Sequence, residues 1–292
     1  MNLIKPAKLK QGDTIAFIAP SGNISENKVL NAKLYFENKG YKVVFGENLL
    51  KQDRYMAGSD KERINDIHWA FEDKKINAIL CARGGYGAIR LIHDIDYDLI
   101  KNNPKIFCGY SDISALSAMI LKKTGLITFS SPMPKGDFQP DEIDEFTEKN
   151  FFEALTLHNI KIKSQNLKTY NNGKTEGILF GGNLSTIASL CGTDFIPNEK
   201  FIFFAEDLCE PVYKIDRYFR QLLNIDKFKQ NLSGIILGEF LDAEPEELFK
   251  ELAKECKIPM FGGYKITHAK QKITVPYGAF AKLDNGDINI NL

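Results

Sequence analysis

Ser111 lies where a strand should give way to a helix. The run Lys105-Ile-Phe-Cys108 reads as a buried strand and Gly109 allows a tight bend. From Ile113 to Leu121 the spacing predicts a helix with Ile113, Leu116, Ser117 and Ile120 on one stripe. A side chain at such a turn is thrust into solvent beside unpaired N–H groups and the positive end of a helix dipole. A hydrolase places its nucleophile there, because the oxyanion formed on attack needs donors already in position. Ser111 or Asp112 acting only as an N-cap is the competing explanation.

A serine nucleophile needs a base within hydrogen-bond reach and usually a carboxylate to orient it. His68 falls in a predicted helix, His93 toward a helix end and His158 in a connecting region, so all three read as surface or packing residues. His268 lies in a turn-rich stretch, Gly262-Gly-Tyr-Lys-Ile-Thr-His268, which suits a base. The acid candidates are Glu206, ending the apolar strand Phe201-Ile-Phe-Phe-Ala205, and Glu210, which with Pro211 also suits a helix start. Arg83-Gly-Gly-Tyr-Gly87 has close-spaced glycines but neither the GxGxxG spacing nor the lysine of a phosphate loop. Its free N–H groups could serve as oxyanion donors. Gly181-Gly-Asn-Leu184 is a second glycine turn entering a helix.

These residues must be positioned by alternating strands and helices. Strands are expected at Thr14 to Ala19, Tyr41 to Phe45, Ala78 to Ala82 and before Ser111, with helices from Glu26 to Lys39, Asp60 to Phe71 and from Ala88. Such alternation implies a parallel sheet with crossover helices, whose ligands collect beyond the carboxyl ends of the strands. The Pro20, Gly84 and Ser111 turns all fall at that edge. From Ser130 to Gly173 the pattern weakens, with prolines, the acidic cluster Asp141, Glu142, Asp144 and Glu145, and a turn at Asn171-Asn-Gly173. The expected organisation is an N-terminal α/β domain over 1–135, a linker over 136–172, and a C-terminal domain over 173–292.

The composition is that of an ordinary globular protein, 43% hydrophobic and 26% charged. Lys+Arg and Asp+Glu both number 38, so no net field draws in nucleic acid or an acidic membrane. The charged N-terminal stretch does not read as a signal peptide, and no apolar run reaches the length of a membrane helix. The 5 cysteines are widely spaced without a CxxC pair, as expected for reduced thiols in the cytoplasm. The 4 histidines show no metal-ligand spacing, so neither a metal nor another cofactor is expected.

Taken in order, seven segments resemble the LD-carboxypeptidase family of serine peptidases, which includes the microcin C immunity-type peptidases. They are Gly12 to Ser21, Ala57-Gly-Ser-Asp60, Ala82 to Gly87, Pro104 with Gly109-Tyr-Ser-Asp-Ile113, Gly181 to Leu184, Glu206-Asp207 with Ile215-Asp-Arg217, and His268 with Pro276 and Gly278. The resemblance implies a Rossmann- or flavodoxin-like parallel-sheet domain, a smaller C-terminal α/β domain, and a homodimer. It implies a triad of Ser111, Glu206 and His268, with oxyanion donors at the backbone of Asp112 and of the Gly84-Gly85 turn, here assigned to Gly85. Arg83 and Glu210 are candidates for the carboxylate and ammonium groups of a substrate. The implied reaction releases terminal D-alanine from a murein tetrapeptide during cell-wall recycling. Glu210 resembles the muropeptide-cleaving branch. The run Ser130-Ser-Pro-Met133 and Thr267 before His268 depart from the family pattern, which often has glycine before the Pro-Met and usually has it before the histidine. The alternatives are a peptide–nucleotide or acyl-amino acid hydrolase of the immunity type, and a binding module without catalysis.

Overall fold

The computed structural model describes residues 2–140 and 143–292, so Asp141 and Glu142 of the acidic cluster lie outside the described residues. The first sheet grows from β1 (Thr14–Ile18), β2 (Lys42–Phe45), β3 (Ala78–Cys81), β4 (Ile106–Cys108) and β5 (Thr128–Ser130). Between them run α1 (Glu26–Asn38), α2 (Asp60–Glu72), α3 (Tyr97–Asn102) and α4 (Ser114–Thr124). These five strands are parallel, in the order β5-β4-β3-β1-β2. That is the flavodoxin-like winding, whose ligand crevice opens at the switch between β1 and β3. The expected helix from Ala88 is a single 3₁₀ turn, Ala88–Arg90.

The stretch expected as a linker carries α5 (Glu145–Thr156), β6 (Asn159–Ile162) and β7 (Lys168–Asn171). Its weak pattern conceals structure because each element buries only part of itself. Helix α5 packs Phe151, Ala154 and Leu155 under the first sheet beside Phe36 and Phe138. The two short strands are half-exposed sheet edges.

The rest of the chain builds the second sheet on β8 (Lys174–Asn183), α6 (Leu184–Ser189), β9 (Phe201–Leu208), α7 (Val212–Leu223), α8 (Asp226–Asn231), β10 (Leu232–Leu241), α9 (Glu246–Cys256) and β11 (Met260–Gly262). Then follow β12 (Val275–Tyr277), β13 (Phe280–Asp284) and β14 (Asp287–Asn291). Strands β8, β9, β10 and β11 are parallel, and antiparallel β6, β14, β13 and β7 complete an 8-stranded sheet in the order β6-β14-β13-β8-β9-β10-β11-β7. The second domain therefore has the wider sheet, although it is built on the shorter stretch of chain.

One strand breaks the division by sequence. β12 leaves the second domain and pairs antiparallel with β5, as the sixth strand of the first sheet. Pro276, which has no N–H to donate, is tolerated there because β12 is an edge strand. This return carries the preceding loop, with His268, toward the first domain.

Helix α4 is the other link. Its expected apolar stripe is instead burial on nearly every side, from Ser114 through Leu121 and at Thr124. A helix apolar all round belongs between layers, and α4 lies between the first sheet and the β8–α6 corner. Gly182 has no room for a side chain against Ser114, whose hydroxyl accepts the Asn183 N–H at 3.2 Å.

Candidate active site

The turn after β4 holds Ser111 at φ +63°, the left-handed region that disfavours any residue with a Cβ. Such strain persists only where surrounding structure enforces it, and it is common at functional sites. A 3₁₀ turn, Ser111–Ile113, leads into α4, and neither Ser111 nor Asp112 caps that helix with its side chain. Capping therefore does not explain either residue. The buried Asp112 carboxylate instead accepts from Ser21 Oγ at 2.5 Å and from the Ala88 N–H at 2.8 Å. Burial pushes its pKa up from the ordinary aspartate value, against these two hydrogen bonds. Asp112 thus ties the loop after β1 and the glycine turn after β3 to the Ser111 turn.

That glycine turn must come close. A Cβ on Gly84 would sit 2.9 Å from the Cβ of Ser111, so only glycine fits. The turn is braced by the Gly22 N–H on the Gly84 carbonyl, at 3.0 Å. From behind, the fully buried Arg63 guanidinium donates to the Pro20 and Gly87 carbonyls at 2.7 and 2.9 Å. Among the described residues, the N–H groups of Gly85 and Asp112 have no hydrogen-bond acceptor within the protein. They face the requirement for oxyanion donors without a competing internal bond.

Glu206 arrives from the other domain, near the carboxyl end of β9, and is 3% exposed. Its Oε2 lies 2.7 Å from His268 Nδ1. An ionised carboxylate can only accept there, so the proton sits on Nδ1 and Nε2 is left as the basic nitrogen. The imidazole packs on the Tyr110 ring with centroids 4.9 Å apart. Its loop is fixed by the Glu239 N–H on the Ile266 carbonyl (2.9 Å) and by Lys272. The buried Lys272 ammonium reaches Asp137 at 2.6 Å and the Ala269 carbonyl at 2.5 Å.

The neighbouring acids have other partners. Asp207, its pKa raised by burial, accepts from Asn183 Nδ2 at 2.9 Å and from the Ser185 N–H at 2.8 Å. Glu210 pairs with Lys214 at 3.2 Å and meets the Tyr218 hydroxyl at 3.4 Å, outside the cleft that Ser111 lines. Between the two acids that the sequence left open, the histidine is on Glu206. His68 accepts the Asp96 N–H at 2.9 Å and serves packing. Among the described residues, no cluster of three His, Cys, Asp or Glu side chains could hold a metal ion.

Ser111, His268, Arg83, Gly84 and Gly85 all line one cleft of about 420 Å³. Ser111 and His268 face the same space, with no hydrogen bond between them among the described residues. Lys135 on the same wall, Tyr110, and the Asp137–Lys272 pair escaped the sequence reading. They sit in a stretch read as connection, or next to louder motifs. The alternation of Pro132, Pro134 and Gly136 around Lys135 was the available sign of a rigid, ordered loop. Arranged in this way, a hydroxyl on a strained turn, a carboxylate-paired imidazole and free N–H groups are equipped for nucleophilic attack on a carbonyl.

Comparisons with known proteins identify the family. Residues 15–131 match the family model of the LD-carboxypeptidase N-terminal domain, and residues 176–283 match that of the C-terminal domain. A probable murein peptide carboxypeptidase of Bacillus subtilis (strain 168) is 36% identical over 97% of this chain and 92% of that protein. The microcin C7 self-immunity protein MccF of Escherichia coli is 31% identical over 98% of this chain and 94% of its own length. The crystal structure of an MccF-like protein from Bacillus anthracis superposes with a TM-score of 0.91 at 30% identity, covering 99% of both chains. The mixed α/β, two-domain architecture is shared with these structures, and the chain belongs to the LD-carboxypeptidase family.

Proposed function

We propose that this peptidase is a serine carboxypeptidase that hydrolyses the amide joining the L-centre of a diamino acid to terminal D-alanine in murein tetrapeptides. The observation that supports it most directly is the Glu206–His268 pair, at 2.7 Å, whose imidazole opens onto the same cleft as the strained Ser111. Ser111 Oγ attacks the amide carbonyl while His268 Nε2 takes its proton. Glu206 holds the ring in the required tautomer and stabilises the imidazolium. The oxyanion is received by the N–H groups of Asp112 and Gly85. His268 then returns the proton to the departing amine of D-alanine, and water releases the tripeptide from Ser111 by the same steps in reverse order. The family resemblance extends this reading to a cytoplasmic homodimer acting in murein recycling.

The test is mass-spectrometric. Wild-type protein incubated with L-Ala-γ-D-Glu-meso-diaminopimelate-D-Ala is expected to give tripeptide and free D-alanine, and Ser111→Ala to lose several orders of magnitude in turnover. Equal release by both proteins would remove Ser111 from the mechanism. The likeness to the self-immunity protein, whose structures include complexes with glutamyl sulfamoyl guanosine and aspartyl sulfamoyl adenosine, favours a second substrate class, peptide–nucleotide or acyl-amino acid conjugates. Cleavage of such a conjugate, with no release of D-alanine from the tetrapeptide, would select it.

A further inference from the structure

Two cations stand on the wall of the Ser111 cleft without a carboxylate. Arg83 and Lys135 both line it, and among the described residues neither forms an ion pair. Their backbones are adjacent: the Lys135 N–H donates to the carbonyl of Ala82, the residue before Arg83, at 2.9 Å. Neither position is loose. Arg83 Nη1 is aimed by the Asn23 carbonyl at 2.6 Å and by the Asn23 side-chain oxygen at 3.2 Å. The Lys135 loop is held by the Met133 N–H on Asp137 (2.8 Å) and by Gln139 Nε2 on the Pro134 carbonyl (2.7 Å).

Like charges placed side by side oppose folding. Lys272, whose partner Asp137 lines the same cleft, is neutralised by that carboxylate. Lys135 has no such partner, and burial together with the Arg83 and Lys28 charges holds its ammonium below the usual lysine range. A repulsion kept in a cleft beside a nucleophile is relieved when an anion enters. Arg83 supplies planar donors for a carboxylate, while Lys135 supplies a compact charge on a flexible stem.

We propose that Lys135 acts with Arg83 as the anion anchor of this cleft, making Lys135 a specificity-determining residue that requires a carboxylate on the substrate close to the scissile amide. The inference rests on the peptidase reading above and deepens it. An anchor of this kind makes the enzyme cut next to a free carboxylate and reject the interior of a longer peptide. Of the three carboxylates of a murein tetrapeptide, two lie on the residues that the scissile amide joins, at terminal D-alanine and on the side chain of diaminopimelate. The third, on γ-linked D-glutamate, is one residue further away and is common to all the ligands compared below.

Calorimetric binding to Ser111→Ala, which does not turn over, separates this inference from the cleavage reaction. Three ligands are compared: the diaminopimelate tetrapeptide, the same peptide ending in D-alaninamide, and the tetrapeptide with lysine in place of diaminopimelate. Adding K135M is expected to weaken the first by roughly 10- to 100-fold. K135E is expected to weaken it further through repulsion. Lys135 lies on the surface of a loop whose hydrogen bonds come from its backbone and from other side chains, so both variants should fold. Non-additivity between K135M and one ligand change identifies the carboxylate involved. If amidation removes the effect of K135M, the anchor reads the leaving residue; if lysine does, it reads diaminopimelate. An equal effect of K135M on all three ligands, no effect on any, or no binding of any would overturn the proposal. Failure of the wild type to cleave the tetrapeptide, with this coupling intact, would overturn the proposed reaction and leave the anchor standing.

Discussion

At the scale of single residues, the site depends on which acid holds the histidine and on what the second buried acid does. Glu206 Oε2 is 2.7 Å from His268 Nδ1, so Glu206→Gln keeps a side chain of the same shape while removing the charge that stabilises an imidazolium. In the proposed mechanism, D-alanine release by Glu206→Gln should fall by about 10³ to 10⁴ in kcat with KM little changed. A rise in KM alone would make Glu206 a binding residue. Asp112 has the opposite character. Its carboxylate is buried and its pKa is raised, so the folded protein holds a proton there more tightly than the unfolded chain does. Below the unfolded aspartate value of about 3.9, both states are protonated and the group costs nothing. As pH rises above that value, the unfolded chain loses its proton first, and stability declines until the folded pKa is passed. Asp112→Asn retains an oxygen for the Ser21 and Ala88 donors without a charge to bury. Its Tm relative to wild type should therefore climb as pH is raised from 4 toward 7, as thermal melts at several pH values would record. A Tm difference independent of pH would mean that Asp112 ionises freely in the fold.

Elements bring these residues together, and at this scale the sequence was uneven in what it disclosed. The strand–turn–helix around Ser111, the glycine turn after β3 and the acid at the end of β9 were legible, because each combines an apolar run with a residue type that the run cannot explain. The stretch 136–172 was not. Its α5, β6 and β7 bury only part of themselves, so polar residues interrupt the period on which such reading depends. The support of the His268 loop was hidden for another reason. Asp137 and Lys272 are 135 residues apart, and sequence carries no mark of a pair made only in three dimensions. That pair is a strut between the cleft wall and the histidine loop, with Lys272 Nζ also 5.5 Å above the Tyr110 ring on which His268 packs. Lys272→Met leaves Asp137 buried and uncompensated, and it should cost about 3–5 kcal/mol in denaturant unfolding. The double variant Asp137→Asn with Lys272→Met removes the stranded charge and should recover most of that loss. Under the positioning role, kcat stays low in both, since neither restores the strut. Recovery of kcat together with stability would show that the histidine loop is placed without it.

On the scale of the whole molecule, the chain has two sheets, and the larger of its two apolar clusters belongs to both. The larger apolar cluster runs from Ile18, Phe107 and Leu116 of the first domain to Phe180, Phe204 and Ile236 of the second without interruption. Tyr277 shows how the join is made. Its backbone belongs to β12 in the first sheet, while its ring meets Phe180 and Phe204 of the second at centroid distances of 5.9 and 5.7 Å. In the sequence, residues 274–278 only follow the turn-rich stretch that carries His268. They give no sign of the crossing, because a three-residue strand containing proline has neither the length nor the alternation of a strand signal. The crossing matters for function, since Ser111 stands on one sheet and Glu206 with His268 on the other, and a cleft assembled from both survives only while they stay registered. A core shared in this way should unfold as a unit, so calorimetric and van't Hoff enthalpies of the wild type should agree. Tyr277→Ala removes a buried ring from the join and should cost about 3–5 kcal/mol. If this ring is the main stitch, the two enthalpies should diverge in the variant as the sheets begin to melt separately, with activity lost in the first of the two transitions. Equal enthalpies in Tyr277→Ala, at a lower Tm, would place the coupling instead in α4, whose burial between the layers then suffices to keep the two halves of the cleft together.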